Sequence, residues 1–163
     1  MVIITGIVNH NFWRTLIDGG GGANILFQDA FDQLKLQSKD LSPVPYPVSR
    51  FNGSATYPDG KITLPVTIGR DRAAQNVMAE FLVMDVPSVY NVIMGRPMIH
   101  QIQGVVSTYH QMMIYVSDKG HSERIQGSQE AARKCNYFRS SKERREDKDD
   151  EEKEREKDRS TKK

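Results

Sequence analysis

Hydrophobic positions along residues 1–116 alternate with polar positions in short runs, at the two-residue period of β-strands. Turn residues separate these runs about every 8–12 residues, a spacing typical of a small mostly-β domain. The pattern predicts about eight strands and two short helices, at residues 28–36 and, after Pro97, at 98–103. The longest predicted strands cover residues 2–8, 12–17, 62–68, 77–84, 90–95 and 112–116.

A predicted hairpin lies between the first helix and the long central strands. Residues 48–51 and 55–57 flank Asn52-Gly53, a dipeptide that strongly favours a two-residue turn. The turn signal Pro58-Asp59-Gly60 is a competing candidate for the tip of this hairpin.

The charged residues of the chain are concentrated at one end. Of the 163 residues, 37% are hydrophobic and 27% are charged, and from 142 to 163 only Ser160 and Thr161 are uncharged. This segment cannot build a core. At about 100–200 residues per domain, one folded domain is expected. We expect a domain at 1–117, a polar connector at 118–141 and a disordered mixed-charge tail at 142–163.

The overall charge and the cysteine count exclude several classes of protein. A net charge of +2 argues against a strongly basic nucleic-acid binder, and the ten basic and ten acidic residues of the tail cancel. No apolar run approaches the about 18 residues of a spanning helix, so no membrane partner is expected. The single cysteine, Cys135, excludes an internal disulfide and permits a reducing compartment, which favours a cytoplasmic or nuclear location.

One apolar strand, which ends at Leu16 and Ile17, delivers Asp18 into four consecutive glycines, Gly19 to Gly22. Such a loop lets the backbone turn tightly or approach another group closely. Two interpretations stay open from this segment alone: a carboxylate presented beside backbone amides, or a hairpin turn with an acidic corner. A phosphate loop is disfavoured, because no Gly-Lys-Ser/Thr follows and the carboxylate would repel phosphate.

A second feature follows much later in the chain, where Ile93 and Met94 run into Gly95-Arg96 and a short helix. With this order of elements, the chain resembles the retropepsin-like aspartic protease domain of plant gypsy-type long-terminal-repeat retrotransposon polyproteins. Residues 129–135 also resemble the connector between protease and polymerase in such polyproteins. The matching stretches are residues 15–20, 23–27, 62–66, 81–85, 90–97 and 106–110.

The resemblance implies a mostly-β fold, a retropepsin-like closed barrel with one or two short helices. It also implies an extended peptide or polyprotein substrate, held by main-chain hydrogen bonds as an added strand. The residues that it assigns are Asp18 for catalysis, Gly19 and Gly20 for the active-site loop, Asn52 and Gly53 for a substrate-binding flap, and Ile93, Gly95 and Arg96 for structural support.

Activity in this family requires two chains, because each chain carries one catalytic aspartate. Peptide hydrolysis without a metal needs a base to deprotonate water and an acid to protonate the substrate. Two carboxylates a few ångströms apart share one proton, so that one acts as base and the other as acid. The resemblance therefore implies a homodimer with one Asp18 from each subunit, and no cofactor.

The glycine loop departs from the family pattern. Gly19 replaces the usual Ser or Thr, whose hydroxyl bonds across the dimer and braces both loops. Gly22 stands where other copies carry an acid that pairs with the arginine matching Arg96. Four glycines also increase the entropy lost on fixing Asp18. A catalytically degenerate domain, either peptide-binding or vestigial, is therefore the second hypothesis.

Two other chemistries have little support in the sequence. The histidines lack an i, i+4 pair and an accompanying acid cluster, so no metal site is predicted. Cys135 lies in a polar segment, which favours an ordinary surface thiol over a catalytic nucleophile. The four histidines are His10, His100, His110 and His121.

Overall fold

The computed structural model describes residues 1–49 and 55–135. Within these ranges the chain forms eleven strands, two six-residue α-helices and a further helical stretch at 129–135. The strands are β1 Val2–Ile7, β2 His10–Ile17, β3 Ile25–Phe27, β4 Val48–Ser49, β5 Ala55–Thr56, β6 Gly60–Ile68, β7 Gln75–Met84, β8 Val92–Met94, β9 Val105–Ser107, β10 Met112–Val116 and β11 Ser122–Gln126. The helices are α1 Gln28–Gln33 and α2 Arg96–Gln101.

Six of the strands close into a barrel in the order β1-β2-β8-β3-β7-β6. The longest hairpin joins β6 to β7 over nine residue pairs, from Gly60 opposite Val83 to Ile68 opposite Gln75. The barrel closes where β1 pairs with β6 over two residue pairs. The expectation of a mostly-β closed barrel with short helices is therefore confirmed.

The interior of the barrel is filled by the alternate, inward-facing side chains of its strands. Phe12, Phe81 and Met94 are at most 2% exposed, and α1 adds Phe31 to the same cluster. Full burial of one such side chain contributes about 1.5–3 kcal/mol. This apolar interior holds the strands in place, so the strand ends have fixed positions.

A second sheet of three strands, in the order β11-β10-β9, packs beside the barrel. Its central strand buries Tyr115, whose hydroxyl donates to the Ala73 carbonyl at 2.8 Å in the turn between β6 and β7. Residues 118–135, which belong to the expected polar connector, contain β11 and the helical stretch, where Ala131 and Cys135 are buried. The domain boundary at residue 117 stays a prediction.

The ends of the predicted helices differ from the observed ones by a few residues. The first helix ends at Gln33 and not at residue 36, since Lys35 has a φ of 55° and leaves the helical conformation. The second begins at Arg96, with Pro97 in its first turn. More strands form than expected, because β3 and β11 are too short or too polar for their sequences to predict a strand.

Two predicted segments lie outside the described residues: the flap tip, Asn52 and Gly53, and the charged tail at 142–163. None of the helices in residues 1–49 and 55–135 is long and apolar enough to cross a membrane.

Candidate active site

Asp18 lies at the end of β2, beside the end of β8. The two strands are parallel neighbours, with Ile17 opposite Met94, so both strands end at the same edge of the barrel. The backbone N–H of Asp18 donates to the Met94 carbonyl at 2.9 Å, which continues this pairing by one residue. Parallel pairing therefore brings the Asp18 loop next to Gly95, although the two are far apart in sequence.

The glycine loop curls back onto the Asp18 carboxyl group. Gly20 N–H donates to Asp18 Oδ1 at 3.0 Å, and Gly21 N–H donates to the Asp18 carbonyl at 3.2 Å. A Cβ at Gly20 or Gly21 would lie 3.3 or 3.2 Å from a carboxylate oxygen of Asp18. These two glycines therefore let the loop backbone lie close to the carboxyl group, where the side chain of a larger residue would crowd it.

The four glycines do not provide left-handed backbone conformations. Among the described residues, the glycines with positive φ are Gly69 and Gly120, and both lie elsewhere. A Cβ at Gly19 would meet no heavy atom within 4 Å, and one at Gly22 would lie 3.7 Å from Arg96 Nη2. Positions 19 and 22 therefore have room for side chains, in contrast to positions 20 and 21.

Gly95 and Arg96 contact the backbone of the glycine loop. Arg96 N–H donates to the Gly21 carbonyl at 2.9 Å. Gly95 is buried, and a Cβ there would lie 2.8 Å from the Gly21 carbonyl oxygen, too close for any side chain. Only glycine fits at this position, since the loop backbone packs directly against it.

Asn24 is a further residue of this site. It lies in the matching stretch 23–27, but the resemblance assigns it no role. It is 4% exposed, and its side-chain oxygen accepts a hydrogen bond from Gly95 N–H at 3.0 Å. Its side-chain nitrogen donates to the Glu80 carbonyl at 3.0 Å, on β7. The sequence shows only an asparagine before a short apolar run, which does not indicate this contact.

A mainly apolar groove of about 540 Å³ opens beside Asp18. Among the described residues that line it, Asp18 is the only one with an acidic side chain. Ile93, half-buried on β8, contributes to its wall. The remaining lining residues are Gly20, Gly21, Gly22, Ala23, Ile25, Phe27, Val48, Ser49, Met84, Val86 and Pro87.

The hairpin of β4 and β5 reaches this groove. Val48 and Ser49 line the groove and pair with Thr56 and Ala55, so residues 50–54 connect the two strands. The competing tip at Pro58-Asp59-Gly60 is wrong, because Asp59 N–H donates to the Val83 carbonyl at 3.0 Å and Pro58 is buried. The hairpin at 48–56 is thus the remaining candidate for a flap.

The side chain of Cys135 is buried, contrary to the expectation of a surface thiol. It is 1% exposed, and its sulfur lies 3.9 Å from the Val89 carbonyl oxygen. Burial raises the pKa of the Cys135 thiol, so the reactive thiolate is disfavoured. The sequence could not predict this burial, because residues after Val116 lack an apolar alternation.

No cluster of three or more His, Cys, Asp or Glu side chains that could hold a metal ion occurs in the part of the chain that the structure describes. At this edge of the barrel, the described residues bring together one carboxylate, the loop amides around it and an apolar groove.

Comparisons with known proteins agree with this architecture. The sequence matches no protein-family model and no curated protein. Among solved structures, the chain is similar to the retroviral protease-like domain of Ddi1 from Leishmania major, with a TM-score of 0.54 and 13% sequence identity. The match covers 77% of this chain and 92% of that one. The chain therefore has a retropepsin-like fold.

Proposed function

We propose that the protein is an aspartic endopeptidase that is active as a homodimer, with one Asp18 from each subunit. The observation that carries the proposal is the Asp18 carboxyl group, which borders an apolar groove and accepts a hydrogen bond from Gly20 N–H. A single carboxyl group cannot act as base and acid at once. A second copy of the chain would supply the other.

In the proposed dimer, the two Asp18 carboxyl groups share one proton. The ionised carboxylate takes a proton from water as the water attacks the scissile carbonyl carbon. The neutral carboxyl group donates its proton to the carbonyl oxygen, and a proton then passes to the leaving amine. The Gly20 amide stabilises negative charge on the carboxylate oxygen that it contacts.

The proposed substrate is an extended peptide segment with apolar side chains. The groove wall is made by side chains such as Phe27, Met84 and Ile93, which favour an apolar ligand. The adjacent β4–β5 hairpin has main-chain groups that could pair with a peptide as an added strand. The matching stretches of sequence suggest a polyprotein of a plant gypsy-type retrotransposon as the natural substrate.

A specific observation favours the second candidate, a catalytically degenerate domain that binds peptide without cleaving it. Gly19 has no hydroxyl to brace the loop of a partner subunit, and residues 19–22 present no side chain. The ordering entropy needed to fix Asp18 is therefore high.

Cleavage of an unstructured protein at about pH 4–6 distinguishes the two candidates. We expect cleavage that a statine-type inhibitor blocks and that Asp18→Asn abolishes. The matched control is Asp29→Asn, which removes an exposed carboxylate on α1 and should leave cleavage unchanged. Cleavage that survives Asp18→Asn would rule out the proposed enzyme. Inhibitor binding without cleavage, at concentrations where the chain is dimeric, would favour the degenerate domain.

A further inference from the structure

The position of Asp18 depends on backbone hydrogen bonds, because the next four residues have no side chains. Asp18 N–H donates to the Met94 carbonyl, and the Gly21 carbonyl accepts from Arg96 N–H, at 2.9 Å in both cases. These two bonds attach both ends of the loop to the segment that surrounds Gly95. The loop can therefore be no better ordered than this segment.

Gly95 is in turn held by the side chain of Asn24. Its N–H donates to Asn24 Oδ1 at 3.0 Å in a buried contact, and its Cα packs against the loop backbone. The other end of the Asn24 amide donates to the Glu80 carbonyl, and the Asn24 carbonyl accepts from Leu82 N–H at 2.9 Å. Asn24 is thus fixed to β7, in the barrel wall, through both its side chain and its backbone.

We propose that Asn24 is the positioning residue for Asp18. Its amide links the barrel wall to Gly95, and Gly95 sets the position of the segment to which both ends of the glycine loop are bonded. Asn24 would thereby supply, within one subunit, order that the loop cannot obtain from side chains of its own. The structural part of this inference is independent of the proposed function, whereas its kinetic consequence rests on it.

Amide hydrogen exchange of the full chain tests the structural part. In Asn24→Ala, we expect exchange at residues 18–22 and 94–96 to be at least about tenfold faster, with little change in β6 and β10. The matched control is Asn91→Ala. Asn91 is buried to the same degree, but its side chain accepts a hydrogen bond from Arg14 Nε on β2, at 3.2 Å, and not from Gly95 N–H. Equal exchange at residues 18–22 in the two variants would overturn the inference.

A second variant covers the case in which Asn24→Ala does not fold. Asn24→Asp has the same shape, and burial raises the pKa of the new carboxyl group above its ordinary value. While neutral, this group can both accept from Gly95 N–H and donate to the Glu80 carbonyl, and once ionised it can no longer donate. We expect exchange at the loop, relative to the wild type at the same pH, to be unchanged below the pKa of this group and faster above it. Exchange that follows the wild type on both sides of that pKa, located by NMR titration of the carboxyl group, would contradict the role of Asn24.

Kinetics of the wild-type enzyme and of Asn24→Ala test the consequence for catalysis. Misplacement of Asp18 should lower kcat by about tenfold to a hundredfold with little change in KM, since the substrate groove is intact. If neither protein cleaves peptide but amide hydrogen exchange at the loop is faster in Asn24→Ala than in the wild type, the positioning role stands and the proposed function fails. If the wild type cleaves and Asn24→Ala has the same kcat, the proposed function stands and the positioning role is wrong.

Discussion

Gly19 is the residue at which a single side chain could change the site most. A Cβ there meets no heavy atom within 4 Å, so a larger residue fits within one subunit. In Gly19→Thr, the added hydroxyl could form the hydrogen bond across the proposed dimer that this sequence lacks. In a symmetric homodimer the hydroxyl is added to both subunits, so two such bonds form and together contribute about 2 kcal/mol. We expect a dimer dissociation constant about thirtyfold lower, with faster cleavage at low protein concentration.

Gly19→Val is the control for this experiment, because Val has the shape of Thr without its hydroxyl. Both variants restrict the unfolded chain at position 19 and should share any gain in stability, about 0.4–1 kcal/mol. Sedimentation equilibrium of both variants gives the dissociation constants. If Val strengthens the dimer as much as Thr does, the hydroxyl has no bracing role.

Arg96 offers a second test at the residue scale. A Cβ at Gly22 would lie 3.7 Å from Arg96 Nη2, so an acid in Gly22→Asp would reach the guanidinium. We expect the new ion pair to stabilise the fold by about 0.2–1 kcal/mol at low ionic strength. Denaturant unfolding of Gly22→Asp, Arg96→Gln and the double variant isolates the pairwise interaction. Gly22→Asn serves as an uncharged control, and a coupling energy that is zero or independent of salt would contradict the pair.

At the scale of elements, sequence patterns predict where strands lie better than they predict which strands pair with each other. The long alternating runs of β6 and β7 and the strand that ends before Asp18 could be predicted, because apolar alternation is a local signal. The parallel pairing of β2 with β8 could not, since it joins segments far apart in the chain. Only the resemblance to a known family led to the expectation that Asp18 and Gly95 belong to one site.

The role of Asn24 could not be predicted for a related reason. Both of its side-chain partners, Gly95 N–H and the Glu80 carbonyl, are backbone groups far from Asn24 in the sequence. A backbone group is the same whatever the residue type, so the sequence contains no signal for the partner. The sequence does not predict the strand β11, because its residues are mostly polar. It does not predict the burial of Cys135 either, because that segment lacks an apolar alternation, whereas in the structure the Cys135 sulfur lies beside the Val89 carbonyl.

Tyr115 connects two elements, β10 and the turn between β6 and β7. Its hydroxyl donates to the Ala73 carbonyl, and burial, with a smaller contribution from the nearby Glu123 carboxylate, raises the pKa of Tyr115. We expect Tyr115→Phe to lower the free energy of unfolding by about 0.5–1.5 kcal/mol at neutral pH. Urea unfolding measures this loss.

The raised pKa of Tyr115 also predicts a dependence on alkaline pH. Because its folded-state pKa lies above the ordinary value of 10.0, the stabilisation is complete below about pH 10 and is lost as the pH rises through the folded-state pKa. The stability difference between wild type and Tyr115→Phe should therefore shrink above about pH 10. Tyr109→Phe, at a 91% exposed site, is the control and should match the wild type throughout. A difference that stays constant with pH would show that the hydroxyl does not titrate as expected.

At the scale of the whole molecule, the proposal requires that two chains combine to make one site. Mixing wild type with an equal amount of Asp18→Asn tests this directly. If subunits pair at random, about one quarter of the dimers contain two wild-type chains, so activity per wild-type chain falls to about half. The mixture is assayed after equilibration at a concentration where dimers predominate. Activity that is unaffected by the added chain would mean that each subunit works alone.

The closure of the barrel has a mechanical consequence. β1 meets β6 over two residue pairs, supplemented by one bond from Val8 N–H to the Pro65 carbonyl, and Pro65 has no N–H to return. This pairing is much shorter than the nine-pair β6–β7 hairpin. β3 meets β8 over two residue pairs as well, so the cylinder has two short seams. Opening along β1–β6 under heat or tension would admit water to Ile7 and Val66, whereas opening along β3–β8 would free one side of the strand that pairs with β2 beside Asp18. The Asp18 edge of the barrel is therefore no better protected from opening than the closing seam.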